Sequence, residues 1–179
     1  MSVKKYERIN RELIHEGSII DYYKDTMKIP NGNTAKWDFI KHKGAAACVA
    51  VKDNGNIIMV KQYRNALERD TIEVPAGGIN VGEDMETAAM RELEEETGYR
   101  AEKSTFLISI RTTVAFCDER IDIYVAENLS KSEQHLDEDE YVEILEFSLE
   151  ELLEMIQNGT IQDAKTISAL LAYATYIKK

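Results

Sequence analysis

Residues 77–99 read GGINVGEDMETAAMRELEEETGY, and this stretch decides the fold. Its fixed points are Gly77, Glu83, Arg91, Glu92, Leu93, Glu95, Glu96, Gly98 and Tyr99. An α-helix turns about 100° per residue, so positions i, i+3 and i+4 share one face. Glu92, Glu95 and Glu96 therefore gather three carboxylates on one face of a single turn. Like charges so placed repel and weaken the helix. A hard divalent cation, which takes oxygen ligands, relieves that repulsion. The competing reading is a solvated acidic helix, which such a turn taken alone more often is.

The flanking residues separate the two readings. Thr71-Ile72-Glu73-Val74 leads into Pro75-Ala76-Gly77-Gly78, a turn-forming cluster. Asn80 to Asp84 form a polar loop that ends at a helix start, and the helix is expected over 84–97. Ala88, Ala89 and Leu93 give it an apolar face opposite the acids. Gly98 stands where a C-terminal cap glycine belongs. The order strand, glycine loop, acidic helix, glycine stop favours a cation site. The spacing from Gly77 through Glu83 to Arg91-Glu92-Leu93, Glu95-Glu96 and Gly98-Tyr99 resembles the box of the Nudix hydrolases at every fixed point. That resemblance implies an enzyme dependent on Mg²⁺, with Mn²⁺ as an alternative, which hydrolyses nucleoside diphosphates linked to another group.

Outward from the box, strand-like runs alternate with turn signals. SIIDYYKDTMKI and TAKWDFIKHK flank Pro30-Asn31-Gly32 and predict a hairpin. AAACVAVK and NIIMVKQYR flank Asn54-Gly55 and predict another. TFLISIRTTV and RIDIYVAENL read as strands around the loop AFCDE. SKSEQHLDEDEYV is a charged loop and VEILEFS a last strand. LEELLEMIQNG is a helix stopped by Gly159, and DAKTISALLAYATYI a helix capped by Asp163. This pattern predicts an α+β or mixed α/β sandwich. The resemblance sharpens it to an α+β, Nudix-type mixed β-sheet sandwiched between helices, with an N-terminal antiparallel strand pair. Residues 1–42 are expected to form that strand region and to dimerise, and residues 43–179 to form the hydrolase domain.

The 179-residue chain has a length typical of one domain, with a net charge of −11 and 44% hydrophobic residues. That charge argues against nonspecific nucleic-acid binding and against anionic membrane surfaces. No apolar run approaches the roughly 20 residues of a membrane span. The N-terminal residues lack an apolar signal core. Cys48 and Cys117 sit in apolar surroundings and read as buried free thiols, so a cytoplasmic protein is expected. His15, His42 and His135 follow no metal-ligand spacing, and DEDE lacks the glycine of a calcium loop.

Across residues 15–177 the chain resembles the ADP-ribose pyrophosphatase branch. The shared segments are IPNG, HKGAAACVAV, IIMVKQYRNALERDTIEVPAGGI, DEDEYVE and DAKT. The resemblance implies a homodimer whose N-terminal strands contribute to the partner's site, and a nucleoside diphosphate sugar as substrate. Glu92, Glu95 and Glu96, with the Ala76 carbonyl, are expected to hold metal. Arg91 is expected to orient a box carboxylate, with surface pairing as the competing reading, and Glu83 to brace the loop or reach an outer ligand position rather than bind metal directly. Glu140 is the candidate base, with Glu138 second; the competing reading is a solvated acidic loop. Arg64 matches the arginine that holds a diphosphate, or is a solvated strand-end arginine. Lys36 and Trp37 match residues at the adenine end, although Trp37 more readily reads as a core aromatic on a strand. Glu119 is a candidate to line the site. Thr113-Val114-Ala115-Phe116 departs from the branch's Ser-Pro-Gly-Phe pattern on the sugar side, which predicts looser sugar selectivity. A sibling enzyme for other nucleotide sugars or dinucleotides, and a noncatalytic nucleotide sensor, are the rival classes.

Overall fold

A computed structural model of the chain describes residues 5–138 and 140–178. The chain divides into two compact units, one built on residues up to Lys43 together with Arg111–Arg120, the other on Gly44–Ile110 and the chain from Ile121 onward.

The first unit is a three-stranded antiparallel sheet in the order β1 (Glu7–Glu16), β2 (Ile20–Lys28), β3 (Thr34–His42). The expected strand pair is β2 and β3, joined at Gly32 with φ 92°. β1 is a third strand beyond the expected pair. Its register on β2 shifts between Arg8 and Asn10 and again between Leu13 and His15. Each shift moves the apolar residues to the other face, so no clean period of two survives in the sequence. Arg11 holds the strands together by a two-pronged bond to the buried Asp25, at 2.7 and 2.6 Å. Within this unit the 111–120 segment lies along β3, with Ile40 N–H donating to Phe116 O at 2.7 Å.

The second unit is a mixed sheet with helices on both faces. Its strands are β4 (Ala45–Val51), β5 (Ile57–Arg64), β6 (Arg69–Glu73), β7 (Ala76–Gly78), β8 (Tyr99–Arg111), β9 (Arg120–Lys131) and β10 (Val142–Phe147). The order is β10-β5-β4-β9-β8, with β6 on β5 and β7 on β4. β4 runs parallel to β9 and antiparallel to β5, which makes the sheet mixed. The helices are α1 (Met85–Thr97), α2 (Leu149–Gln157) and α3 (Ala164–Tyr176).

β4 sits between the two cores. Side chains alternate along a strand, so Ala47 and Val49 join Leu152, Ile161 and Leu170 of the α2 and α3 layer. Ala46, Cys48 and Ala50 face Ala88, Ala89 and Leu93 of α1. Small residues on both sides of that second layer let α1 come close to the sheet. Asp84 caps α1 by accepting from Glu86 and Thr87 N–H, both at 3.1 Å, and Gly98 ends it with φ 66°. Cys48 and Cys117 are free thiols; Cys48 is buried, whereas Cys117 is only partly so. Among the described residues no helix is long and apolar enough to cross a membrane.

Candidate active site

The acidic face of α1 lies against β7. Gly77 has the Glu92 carboxylate where a side chain would go, and the buried Glu96 accepts from Ala76 N–H at 2.9 Å. Arg91 ties the rest together. Its Nη1 donates to Glu92 and Glu95, both at 2.7 Å, and its Nη2 to Gly78 O at 2.8 Å. Its Nε and Nη2 also meet Glu83, at 2.9 Å each, while Glu83 accepts from Asn80 N–H. Glu83 thus braces the loop that leads into α1.

Burial pushes the Glu96 carboxyl up to about 8, opposed by the Ala76 N–H bond and reinforced by the Glu92 and Glu140 charges. Glu92 is raised as well, by burial first and then by Glu95 and Glu140, against its bond to Arg91. Among the described residues no three His, Cys, Asp or Glu side chains converge as a finished cation cage. Glu92 and Glu95 meet through Arg91, and Glu96 turns to the backbone of β7. The donor set nonetheless fits a hard divalent ion: three carboxylates and a strand carbonyl are all oxygen ligands. A buried carboxyl such as Glu96, held by a neutral N–H, gains most from a cation that offsets its desolvation.

A cleft of about 360 Å³ opens over this face, and Gly77, Gly78, Glu92, Glu95, His135 and Glu140 line it. Glu140 is therefore in the cleft; Glu138 does not line it. The loop that carries Glu140 is fastened to the end of α1, where helix carbonyls lack partners of their own. His135 N–H donates to Glu95 O at 2.9 Å, Gln134 Nε2 to Glu96 O at 2.6 Å, and Ser132 N–H to Gly98 O at 2.7 Å.

Arg64 spends two nitrogens on a carboxylate. Its Nε and Nη2 donate to Glu73 at 2.7 and 2.6 Å. Thr71 and Lys165 bond the same carboxylate, and Lys165 also meets Asp163 at 2.9 Å. Burial alone pushes the Glu73 carboxyl up; the bonds from Arg64, Lys165 and Thr71 outweigh this and hold it at about 2.

A family model described as NUDIX domain matches residues 41–170. The chain belongs to the Nudix family. It is 46% identical over 164 residues to an ADP-ribose pyrophosphatase of Bacillus subtilis (strain 168), covering 90% of this chain and 89% of that one. It is 44% identical, with the same coverage, to a methanol dehydrogenase activator of Bacillus methanolicus. Among solved structures, one titled as the crystal structure of an ADP compounds hydrolase superposes with a TM-score of 0.88 over 99% of this chain and 97% of the other. At 22% identity that last likeness speaks for the fold, and it agrees with the mixed sheet between helices.

The Nudix box assembles as one constellation, with three neighbours beyond the expected set. Glu73 lies in the strand-like run Thr71–Val74, and a lone carboxylate two residues before the Pro-Gly turn is a signal for a buried pair. Lys165 belongs to the DAKT segment, whose spacing does not join it to Glu73. His135 lines the cleft, and nothing in its local spacing places it there. Three further candidates lie in the first unit. Lys36 Nζ donates to Thr26 Oγ1 at 2.7 Å, and Trp37 is 45% exposed against Tyr6, with ring centroids 5.6 Å apart. Glu119 accepts from Thr112 Oγ1 at 2.5 Å and lies 3.5 Å from His42 Nε2.

Proposed function

We propose that this Nudix hydrolase cleaves the pyrophosphate bond of ADP-ribose or a close nucleoside diphosphate sugar, with Mg²⁺ and Mn²⁺ as alternative metals, and releases AMP and a sugar phosphate. One observation carries the reading: Glu92 and Glu95 of α1 and Glu140 line the same cleft together with Gly77 and Gly78, and the buried Glu96 lies behind them on Ala76 N–H. The ADP-ribose pyrophosphatase named above supports the substrate class.

Glu92, Glu95 and Glu96, with the Ala76 carbonyl, would hold the metal. When bound, it neutralises phosphoryl oxygens and lowers the pKa of water. Arg91 keeps Glu92 and Glu95 in place, because one guanidinium nitrogen bonds both. Glu140 takes the proton of the attacking water; Glu138 is second, since it lies outside the cleft lining. Arg64 gives its Nη1 edge to the diphosphate, while its Nε and Nη2 stay on Glu73.

We assign residues 1–42 to dimerisation and 43–179 to the hydrolase domain. In the homodimer Lys36 and Trp37 serve the adenine end of the neighbouring subunit's site, and Glu119 serves the substrate side. The chemistry suits the cytoplasm, where two free thiols stay reduced.

A sibling activity on other nucleoside diphosphate sugars is favoured by Val114, whose side chain is largely exposed in the Thr113–Cys117 turn. Proline fixes φ and glycine lets a backbone approach closely; Val114 and Ala115 do neither. Purified protein with Mg²⁺ is tested against ADP-ribose, a second nucleoside diphosphate sugar, NADH and a diadenosine polyphosphate. ADP-ribose is hydrolysed, with the second sugar within about tenfold in kcat/KM, roughly 1.4 kcal/mol. Turnover of none of the four defeats the reading. Preference for ADP-ribose by a thousandfold defeats only the argument from Val114.

A further inference from the structure

Four donors converge on the Glu73 carboxylate, whose side chain is only 3% exposed. One oxygen accepts from Arg64 Nε and Thr71 Oγ1, the other from Arg64 Nη2 and Lys165 Nζ. Two cations therefore share one buried anion. Arg64 is the more open of them, with 40% of its side chain exposed against 11% for Lys165. Lys165 comes from the first turn of α3, which also grips the strand end: Thr166 Oγ1 accepts from Val74 N–H at 3.1 Å, and Asp163 caps Thr166 N–H at 2.9 Å.

The charge arithmetic decides what this arrangement does. Arg64 and Glu73 alone are a neutral pair, with the guanidinium's attraction for another anion cancelled locally. Adding Lys165 gives the trio a net positive charge. Asp163, the second partner of Lys165, is the more exposed of its two carboxylates, at 26% against 3%, and its charge is better screened by water. Arg64 and Lys165 do not line the cleft of Glu92, Glu95 and Glu140, but both interact electrostatically with the buried Glu96 of the same acidic helix face. A diphosphate that enters beside three carboxylates needs a positive surface that its neighbour has not already neutralised.

We propose that Lys165 is a positioning residue for the substrate: by sharing Glu73 it fixes the Arg64 fork and leaves that arginine with charge to offer a diphosphate. The inference rests on the proposed hydrolysis of a nucleoside diphosphate sugar.

The test uses Lys165→Gln, which keeps a donor to Glu73 without the charge, and Lys165→Arg, which keeps the charge. Steady-state kinetics with ADP-ribose and Mg²⁺ are paired with ADP binding measured calorimetrically in EDTA, and with melting midpoints. Lys165→Gln is expected to raise KM about tenfold with kcat within threefold, and to weaken ADP binding by a similar factor. Lys165→Arg is expected to stay within threefold of the parent in both. Parental KM and ADP affinity in Lys165→Gln, even with a lowered melting midpoint, overturn the proposal, since Lys165 is then only a structural clamp. Equal losses in both variants overturn it too, because geometry rather than charge is then at stake. A parent that binds ADP but hydrolyses no nucleoside diphosphate sugar defeats the proposed function, while the ADP comparison still decides on Lys165. A parent that does neither defeats both.

Discussion

A β-carbon on Gly77 would stand 2.1 Å from the carboxyl carbon of Glu92. The clash is with the free end of a flexible side chain, so it falls on the site rather than on the fold. Gly77→Ala should change stability by less than about 1 kcal/mol, because Glu92 can swing away. Glu92 then leaves its bond to Arg91, and kcat/KM should fall at least tenfold. Thermal melts alongside kinetics check it; an alanine variant with parental turnover would show that Glu92 need not hold this place.

Glu96 and Glu140 should separate from Glu138 by rate. Glu96→Gln keeps an acceptor for Ala76 N–H, so the fold persists, and one of the three proposed anionic metal ligands is lost. Turnover should drop about a hundredfold or more. Glu140→Gln should lose a comparable factor, of order 10², whereas Glu138→Gln should stay within threefold. Saturating Mg²⁺ kinetics on the three variants decide, and a Glu138 variant worse than the Glu140 variant reverses the assignment.

How much of this was legible in the sequence depended on the range of the interactions. The cap residues Gly98 and Asp163 act within their own helix ends, so local spacing reveals them, whereas Asp84, expected inside the helix, caps it instead. The two hairpins were read from Gly32 and Asn54-Gly55 for the same reason. β1 was obscured by its two register shifts. The charged partners of Glu73 come from β5 and α3, and no local pattern joins Arg64 to Lys165. Glu140 could be placed in an acidic loop but not oriented, because the bonds that fasten its loop run to carbonyls at the end of α1.

Glu73 makes stability depend on acid. Its carboxyl is held at about 2, against an ordinary 4.5. A depressed carboxyl stabilises the fold fully above the unfolded value and loses that contribution as pH falls through the folded one. The contribution near neutral pH is on the order of 3 kcal/mol. The gap in unfolding free energy between parent and Glu73→Gln should therefore be full at pH 6 and shrink from pH 4.5 towards 2. Denaturant titrations across that range test it; a gap constant with pH would mean that Glu73 acts through packing alone.

The N-terminal sheet carries more exposed apolar surface than a solvated appendage needs. Tyr6, Ile9, Leu13, Ile14, Ile19 and Trp37 are each 45% exposed or more. A homodimer through this sheet is expected at micromolar concentration, and Ile14→Glu should shift it towards monomer by light scattering. A parent that is monomeric and fully active removes the composite site.

The contact of α1 with β4 is made largely of alanines, beside Cys48 and Leu93. Ala46 and Ala50 meet Ala88 and Ala89 with no exposed surface between them. The distance from the acidic helix to the glycine strand is thus set by the thickness of a methyl group. A valine at any of these four positions would act as a shim, lifting the carboxylates off β7 while leaving each of them intact. Inactivating changes in this enzyme should therefore include conservative apolar ones that never touch substrate or metal, in a layer that an inspection of the cleft alone would pass over.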